Sequence, residues 1–344
     1  MATAQITWFR AEIPTPDLRP EAWTRVVVST SGGKDSLAAL LVALDHFPPK
    51  QIEIWHQRID GDGLQFMDWS VTPRYVQLLG ELLGVPVYEQ WRVGGFRGEL
   101  LRQNARPAPV RFVRDQQEYQ VVPTRAGINT RRRWPAVSPN LSLRWCSGAL
   151  KIDVTARALT NDPTLQGTVE KPVRLLFLTG ERREESPNRS RYAALEPHRT
   201  DSRSRHVLHW RPVIDWTEAE VWNKIRGANV LPHPAYMLGF GRVSCEGCIF
   251  HGPAGWRRIA ELDPDRFAEI ARIEQELHHT IDPRMSVAQK AAMGRPPDWD
   301  PSPLTARARE WIAHPERLTL AAMRFSWPPG WYPLGAFRSG GGPV

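Results

Sequence analysis

A strand that breaks through two glycines into a helix is the feature that most limits how this chain can fold. Val26-Val27-Val28 is an apolar β-branched run, Thr30-Ser31-Gly32-Gly33-Lys34-Asp35-Ser36 follows, and Leu37-Ala38-Ala39-Leu40-Leu41-Val42-Ala43-Leu44 is strongly helical. Such a turn gathers unpaired backbone N–H groups at the positive end of a helix dipole, which suits a phosphate. Glycine permits the positive φ and close approach that the turn needs. Ser31 and Ser36 add hydroxyl donors, Lys34 a charge-assisted donor and Asp35 a magnesium ligand, and Ser29 closes the strand beside them. An ordinary strand-to-helix turn is the plainer reading, and Lys-Asp-Ser in this setting weighs against it. The G-x-x-x-x-G-K spacing of a Walker loop is absent.

The pattern repeats in outline. Strands are expected at residues 25–29, 51–56, 85–88, 174–179 and 207–214, with helices at 34–46, 73–83, 147–159 and 217–226 between them. Thr217 and Glu220 form a capping box, and Gly84 stops the helix before it. Alternating strands and helices imply a parallel α/β sheet covered on both faces, with ligand bound beyond the carboxyl ends of the strands. From about Asp263 the chain reads as helical, with Phe267, Ile270, Ile273 and Leu277 on one face, and it ends in a Gly/Pro-rich tail expected to fray. Three segments are expected: a lead-in at 1–22, the α/β domain at 23–255, and a helical extension at 256–344.

Bulk composition limits the function classes. At 344 residues, 41% hydrophobic and 24% charged, the chain is that of a globular protein. No apolar run approaches the roughly 18 residues needed to span a bilayer. Met1-Ala2-Thr3-Ala4-Gln5 has no basic n-region or apolar h-region, so a cytoplasmic protein with no membrane partner is expected. The net charge is +8 and mostly arginine. Residues 92–140 read as a basic insertion, with Arg131-Arg132-Arg133-Trp134 joining arginines to an aromatic ring. That pairing points to nucleic acid, while a solvated loop in an arginine-rich genome is the plainer alternative.

Two further groups fall near the same crevice. Gly180-Glu181-Arg182-Arg183-Glu184-Glu185-Ser186-Pro187-Asn188-Arg189 follows the fourth strand, so its arginines can reach phosphate or substrate anions, with Glu185 to orient them. Cys245-Glu246-Gly247-Cys248 is a C-x-x-C, and Cys146 opens a helix far away in sequence. Three thiolates meeting there would hold a [4Fe–4S] cluster with one iron open, or a zinc with one further ligand. A redox pair or buried thiols would give the same spacing. His251 is a candidate fourth ligand, an ordinary polar histidine being its alternative. Ligand softness fits iron–sulfur and zinc equally.

Taken in order, Ser31–Ser36, Arg144-Trp145-Cys146 with Lys151, Gly180–Arg189, and Arg211-Pro212-Val213-Ile214-Asp215-Trp216 running on to the cysteine pair resemble the PAPS reductase-like branch of the PP-loop ATP pyrophosphatase (adenine nucleotide alpha hydrolase) superfamily. The resemblance spans residues 24–252 and implies a doubly wound, five-stranded parallel sheet. It also implies ATP with magnesium, the nucleotide lying on Ser29, Ser31, Gly32, Gly33, Lys34, Asp35, Ser36, Gly180, Arg182 and Arg189. Lys34, Asp35 and Arg182 are then the catalytic candidates, and Arg144, Lys151 and Glu185 the substrate or phosphate contacts.

Many such enzymes split ATP to AMP and pyrophosphate and adenylate an acceptor, which a sulfur nucleophile then attacks. True PAPS reductases carry a catalytic cysteine near the C-terminus, but no cysteine follows Cys248; APS reductases use four cluster cysteines, and this chain has three. The pattern is closer to DNA phosphorothioation and tRNA thiolation enzymes. The leading expectation is therefore an AMP-forming sulfurtransferase acting on DNA or tRNA, supplied by a sulfur-donor protein such as a cysteine desulfurase. Sulfonucleotide reductase-like or nucleotidyl-transfer chemistry on a small molecule is one alternative. A non-catalytic nucleotide sensor within a modification or defence complex is another.

Overall fold

The computed structural model describes residues 14–338, so the first part of the expected lead-in and the Gly/Pro tail from Ser339 lie outside the described residues. An eight-stranded sheet forms the centre. Its strands are β1 (Arg25–Ser29), β2 (Ile52–Arg58), β3 (Val87–Arg92), β4 (Val110–Arg114), β5 (Gln117–Val121), β6 (Val173–Leu178), β7 (Leu195–Pro197) and β8 (Arg205–Trp210). They lie in the order β5-β4-β3-β2-β1-β6-β8-β7. β3, β2, β1, β6 and β8 run parallel, as the doubly wound reading requires.

Three further strands flank the five expected ones. β4 and β5 form a hairpin turning at Asp115 and Gln116, both at positive φ, and add antiparallel to β3. The insertion therefore includes a sheet hairpin rather than being loop throughout. It is tied down by Arg114, whose buried guanidinium meets Glu53 at 2.9 Å and Asp162 at 2.5 Å. β7 adds antiparallel to β8 at the opposite edge.

Helices fill both faces. Val26 and Val28 point into a large core with Leu37 and Leu40 of α1 (Lys34–His46), Leu79 of α2 (Thr72–Leu83) and Trp222 of α6 (Glu218–Gly227). Val27 points the other way, towards Trp55, Phe177 and Leu159. That alternation is the period of two that a strand imposes, and both of its faces are apolar because both are covered. Leu159 belongs to α5 (Asp153–Asn161), which continues α4 (Trp145–Ser147) through a π-helical turn at Gly148–Ile152 where the sequence predicts one regular helix. A short helix α3 (Gly95–Leu101) precedes the hairpin, and α7 (Pro234–Met237) follows α6.

Strand ends shift for local reasons. The predicted last strand stops at Trp210, because Arg211 turns into Pro212, which has no N–H to give a ladder. The third strand starts at Val87, because Pro86 contributes only its carbonyl, to Ile54 N–H at 2.9 Å. The capping box at Thr217 and Glu220 forms as read, and Gly84 takes the left-handed conformation at φ +66°.

Beyond residue 252 come α8 (Pro253–Leu262), α9 (Pro264–Leu277), α10 (Val287–Met293), α11 (Pro303–Ala313) and α12 (Leu320–Met323). Ile270 and Ile273 are buried on the predicted face of α9, in one continuous core with the α1 side of the sheet. The last described segment returns to the sheet helices: Gly335 N–H donates to Tyr236 carbonyl at 2.7 Å and Phe337 N–H to Glu218 Oε1 at 2.9 Å. No helix among the described residues is long and apolar enough to cross a membrane.

Candidate active site

The sheet reverses direction at β1, which has β2 on one side and β6 on the other, so a crevice opens beyond their carboxyl ends. A pocket of about 710 Å³ lies there. Ser29, Ser31, Gly33, Lys34, Asp35, Ser36, Arg144, Lys151, Gly180, Arg182, Glu185 and Arg189 all line it, while Gly32 sits behind the turn at φ +77°. Two glycines are required by space. A Cβ on Gly33 would lie 2.8 Å from Val243 carbonyl oxygen, and one on Gly180 would lie 2.4 Å from the Asp35 carbonyl.

The phosphate turn is built from hydrogen bonds that partly differ from the expected nest. Gly32 N–H donates to Thr30 Oγ1 at 3.2 Å, and Lys34 N–H donates to the Tyr236 hydroxyl at 2.9 Å. Tyr236 thus supplies the helix N-terminus with an oxygen from the far end of the domain. Lys34 is 4% exposed, with its ammonium 3.2 Å from Asp35, 3.8 Å from Glu218 and 5.8 Å from the Tyr236 ring centre. Burial alone would push its pKa down, but Asp35, Tyr236 and Glu218 outweigh it and hold the lysine charged.

Asp35 Oδ1 accepts from Arg182 Nε at 2.5 Å, and Oδ2 pairs with the Lys34 ammonium. Burial would raise its pKa, yet the two cations hold it below the usual carboxylate range. Asp35, expected as a magnesium ligand, lines the pocket with its two oxygens paired to these cations. Arg182, expected as catalytic, is 1% exposed and bonds Asp35, Glu184 and Trp216 carbonyl, so it clamps the loop after β6 to the start of α1. Glu185 accepts from Arg182 N–H at 2.9 Å and pairs with Arg189, the orienting task read for it.

The opposite wall is cationic. Lys151 Nζ donates to Ser244 Oγ at 2.7 Å, placed by the π-helical turn. Arg144 Nε and Arg242 Nε are buried with no hydrogen-bond partner among the described residues. Burial lowers the Arg144 pKa, and Arg189 and Arg242 lower it further. Buried donors left open in this way favour an anion between them.

Cys146, Cys245 and Cys248 line a second, smaller cavity of about 40 Å³. Lys151, Ser147, Arg242 and Ser244 border both cavities, so the thiols stand directly behind the cationic wall. Burial pushes the Cys146 thiol up to about 11, and burial likewise raises Cys245. Three thiols on one cavity, Cys248 buried and the other two partly so, suit a soft metal group by donor chemistry. Among the described residues no three His, Cys, Asp or Glu side chains close on a single ion. His251 does not join them: its Nε2 lies 2.9 Å from Glu246 carbonyl oxygen, and its ring packs against Phe240 and Trp256. It is the ordinary buried histidine of the alternative reading.

Several pocket residues escaped the sequence. Tyr236, Arg242, His56, Tyr192, Glu181, His198, His209 and Arg211 all line it. His209 carried the clearest signal, a polar residue among the apolar neighbours of Val207-Leu208-His209-Trp210. His56 sits at the end of β2 with its Nδ1 3.0 Å from Thr30 carbonyl oxygen, directly below the turn.

Residues 143–250 match the phosphoadenosine phosphosulfate reductase domain family, a span that carries the cationic wall and all three cysteines but not the phosphate turn. An uncharacterized 37.8 kDa protein of Escherichia phage 186 is 26% identical over 72% of this chain and 74% of its own length. The adenosine 5'-phosphosulfate reductase of Burkholderia cepacia is 35% identical over 21% of this chain, a match that spans only 27% of the reductase. Among solved structures, a PAPS reductase from Candida auris aligns with 13% identity over 65% of this chain and 82% of its own, with a TM-score of 0.35. Residues 143–250 are thus similar to the phosphoadenosine phosphosulfate reductase domain, in line with the resemblance that the phosphate turn and the cysteine pair carry.

Proposed function

We propose that this chain is a nucleotide-acting enzyme that splits ATP to AMP and pyrophosphate and transfers sulfur to a nucleic-acid acceptor. The observation that carries the reading is the common wall: the phosphate turn and the three thiols face two adjoining cavities divided by Ser147, Lys151, Arg242 and Ser244. ATP lies with its β- and γ-phosphates on Ser31–Ser36. An acceptor oxygen attacks the α-phosphorus, the bond to the β-phosphate oxygen breaks, and pyrophosphate leaves. Lys34 stabilises the charge growing on the leaving group, from a position fixed by Asp35 and Glu218. Sulfur at the oxidation level of hydrosulfide, delivered by a donor protein, then forms the new bond as AMP departs with the acceptor oxygen. Cys146, Cys245 and Cys248 would hold a soft metal group, which when bound supplies a Lewis-acidic site for that sulfur.

The test is anaerobic purification with iron, zinc and sulfide analysis, followed by assay of pyrophosphate release with and without DNA or tRNA. Pyrophosphate formation stimulated by nucleic acid supports the reading; ATP binding without turnover would leave the sensor alternative. Lys34→Ala separates these further, because an enzyme loses roughly a hundredfold or more in rate when such a charge partner is removed, whereas a sensor has no rate to lose. The reductase similarity favours sulfonucleotide chemistry as the second reading, which would show as AMP-containing sulfonucleotide turnover indifferent to nucleic acid.

A further inference from the structure

The pocket has an end that the phosphate turn does not use. β8 lies two strands from β1, so its carboxyl end stands about 10 Å from the turn across the sheet. There Phe177, His198 and His209 form a ring cluster, with centroids 4.9 Å from Phe177 to His198, 5.3 Å from Phe177 to His209 and 5.7 Å between the histidines. Tyr192 is 36% exposed at the rim, with the Arg211 guanidinium 5.0 Å from its ring centre. Arg199, exposed, continues the rim.

The proton positions follow from the partners. Arg211 has donors only, so its Nη2 contact of 3.1 Å makes His209 Nδ1 the acceptor. His209 Nε2–H then donates to Thr179 Oγ1 at 2.7 Å, and the Thr179 hydroxyl donates to Glu181. Thr200 N–H donates to His198 Nδ1 at 3.3 Å, which leaves Nε2–H as the donor of a ring that lines the pocket. The cluster is therefore uncharged, planar-faced and armed with one donor. Glu196 is the carboxylate at its edge, and Arg211 holds it at 2.7 Å.

Arg144 and Arg242, on the same pocket, keep their buried Nε donors without a hydrogen-bond partner among the described residues. A ring site and an anion site lining one pocket match the footprint of one nucleotide unit. The reacting end is out of reach of a stacked duplex, since Lys34 and Arg182 at the pocket floor are 4% and 1% exposed. A base that must reach such a floor has to leave its stack.

We propose that this end of the pocket receives a single unstacked nucleotide of a nucleic-acid strand, its ring against Tyr192 and the Phe177–His198–His209 cluster and its phosphate on Arg144 and Arg242. The assignment rests on the nucleic-acid reading above and narrows it to single-stranded or locally opened substrate. The probe is a short fluorescent oligothymidylate, titrated by anisotropy as a single strand and as its duplex, with a non-hydrolysable ATP analogue present. The single strand binds at least about tenfold tighter than the duplex. Tyr192→Ala and His198→Ala each weaken single-strand binding by roughly fivefold to a hundredfold, the range for one lost stack, and Tyr192→Phe restores it. Arg242→Gln lowers the salt slope by about 0.7, the share of one phosphate contact on a single strand. Melting temperatures show that the variants remain folded. Equal affinity for duplex, no binding to either strand, or wild-type affinity in both ring variants overturns the proposal. Pyrophosphate release by the wild-type enzyme is measured separately: its absence sinks the functional reading, whereas its presence without single-strand preference sinks only this subsite.

Discussion

Arg182 joins three segments through one side chain, and its planar fork is what makes that geometry work. Nε reaches Asp35 on α1, Nη1 reaches Glu184, and the Trp216 carbonyl lies at 3.4 Å from the same nitrogen. Lysine carries the charge but not the fork. Arg182→Lys and Arg182→Ala are therefore both expected to lower stability, the alanine variant by about 1.5–3 kcal/mol because Asp35 loses one of its two buried cations and keeps only Lys34. Chemical denaturation reads this directly. If Arg182→Lys instead keeps full stability and loses only pyrophosphate release, Arg182 acts on substrate rather than as a clamp. Gly180 is a companion constraint: Gly180→Ala drives a methyl group into the Asp35 backbone and is expected to cost nucleotide affinity together with melting temperature.

At the scale of elements, what was readable from sequence was what depends on near neighbours. The alternation of Val26-Val27-Val28, the periodicity of α9 and the Thr217–Glu220 box each need only a few adjacent residues, and each forms as read. Thr217→Ala removes the side chain that accepts Glu220 N–H and is expected to cost about 1 kcal/mol, visible as a lower melting temperature without loss of nucleotide binding. The unreadable parts depend on partners far along the chain. Arg182 carries the same sequence signal whether its guanidinium meets a phosphate or Asp35, 147 residues away. Tyr236 is 202 residues from the amide it accepts from, and nothing in Pro234-Ala235-Tyr236-Met237 announces that contact. The hairpin β4–β5 was hidden because arginines interrupt its alternation, and one of them, Arg114, is buried only because Glu53 and Asp162 meet it.

Across the whole molecule, buried neutral histidines set an acid limit. Burial is the main reason that His209 falls from 6.5 to about 4 and His233 from 6.5 to about 3. In the unfolded chain both take a proton near pH 6.5, while the folded chain resists it, so stability is complete above that pH and is lost as pH falls towards the folded values. Each contributes on the order of 3 kcal/mol to that loss, a large share of a typical folding free energy. Unfolding free energy measured between pH 7 and pH 4 is expected to fall steeply, and His209→Gln is expected to flatten part of the slope. A pH-independent stability over that range would contradict the neutral assignment of His209 on which its hydrogen-bond chain depends.

The return of the last segment to Tyr236 and Glu218 has a consequence for how the protein is made. The amide and ammonium of Lys34 are held by Tyr236 and Glu218, and Gly335 and Phe337 in turn hold those two residues. A ribosome that has released only the sheet has therefore produced a phosphate turn without its supports. Nucleotide affinity should arrive late in synthesis, after the final helices have emerged. A chain ending before Trp327 is expected to keep its parallel strands but bind ATP weakly, a result that calorimetry on the shortened protein would reveal.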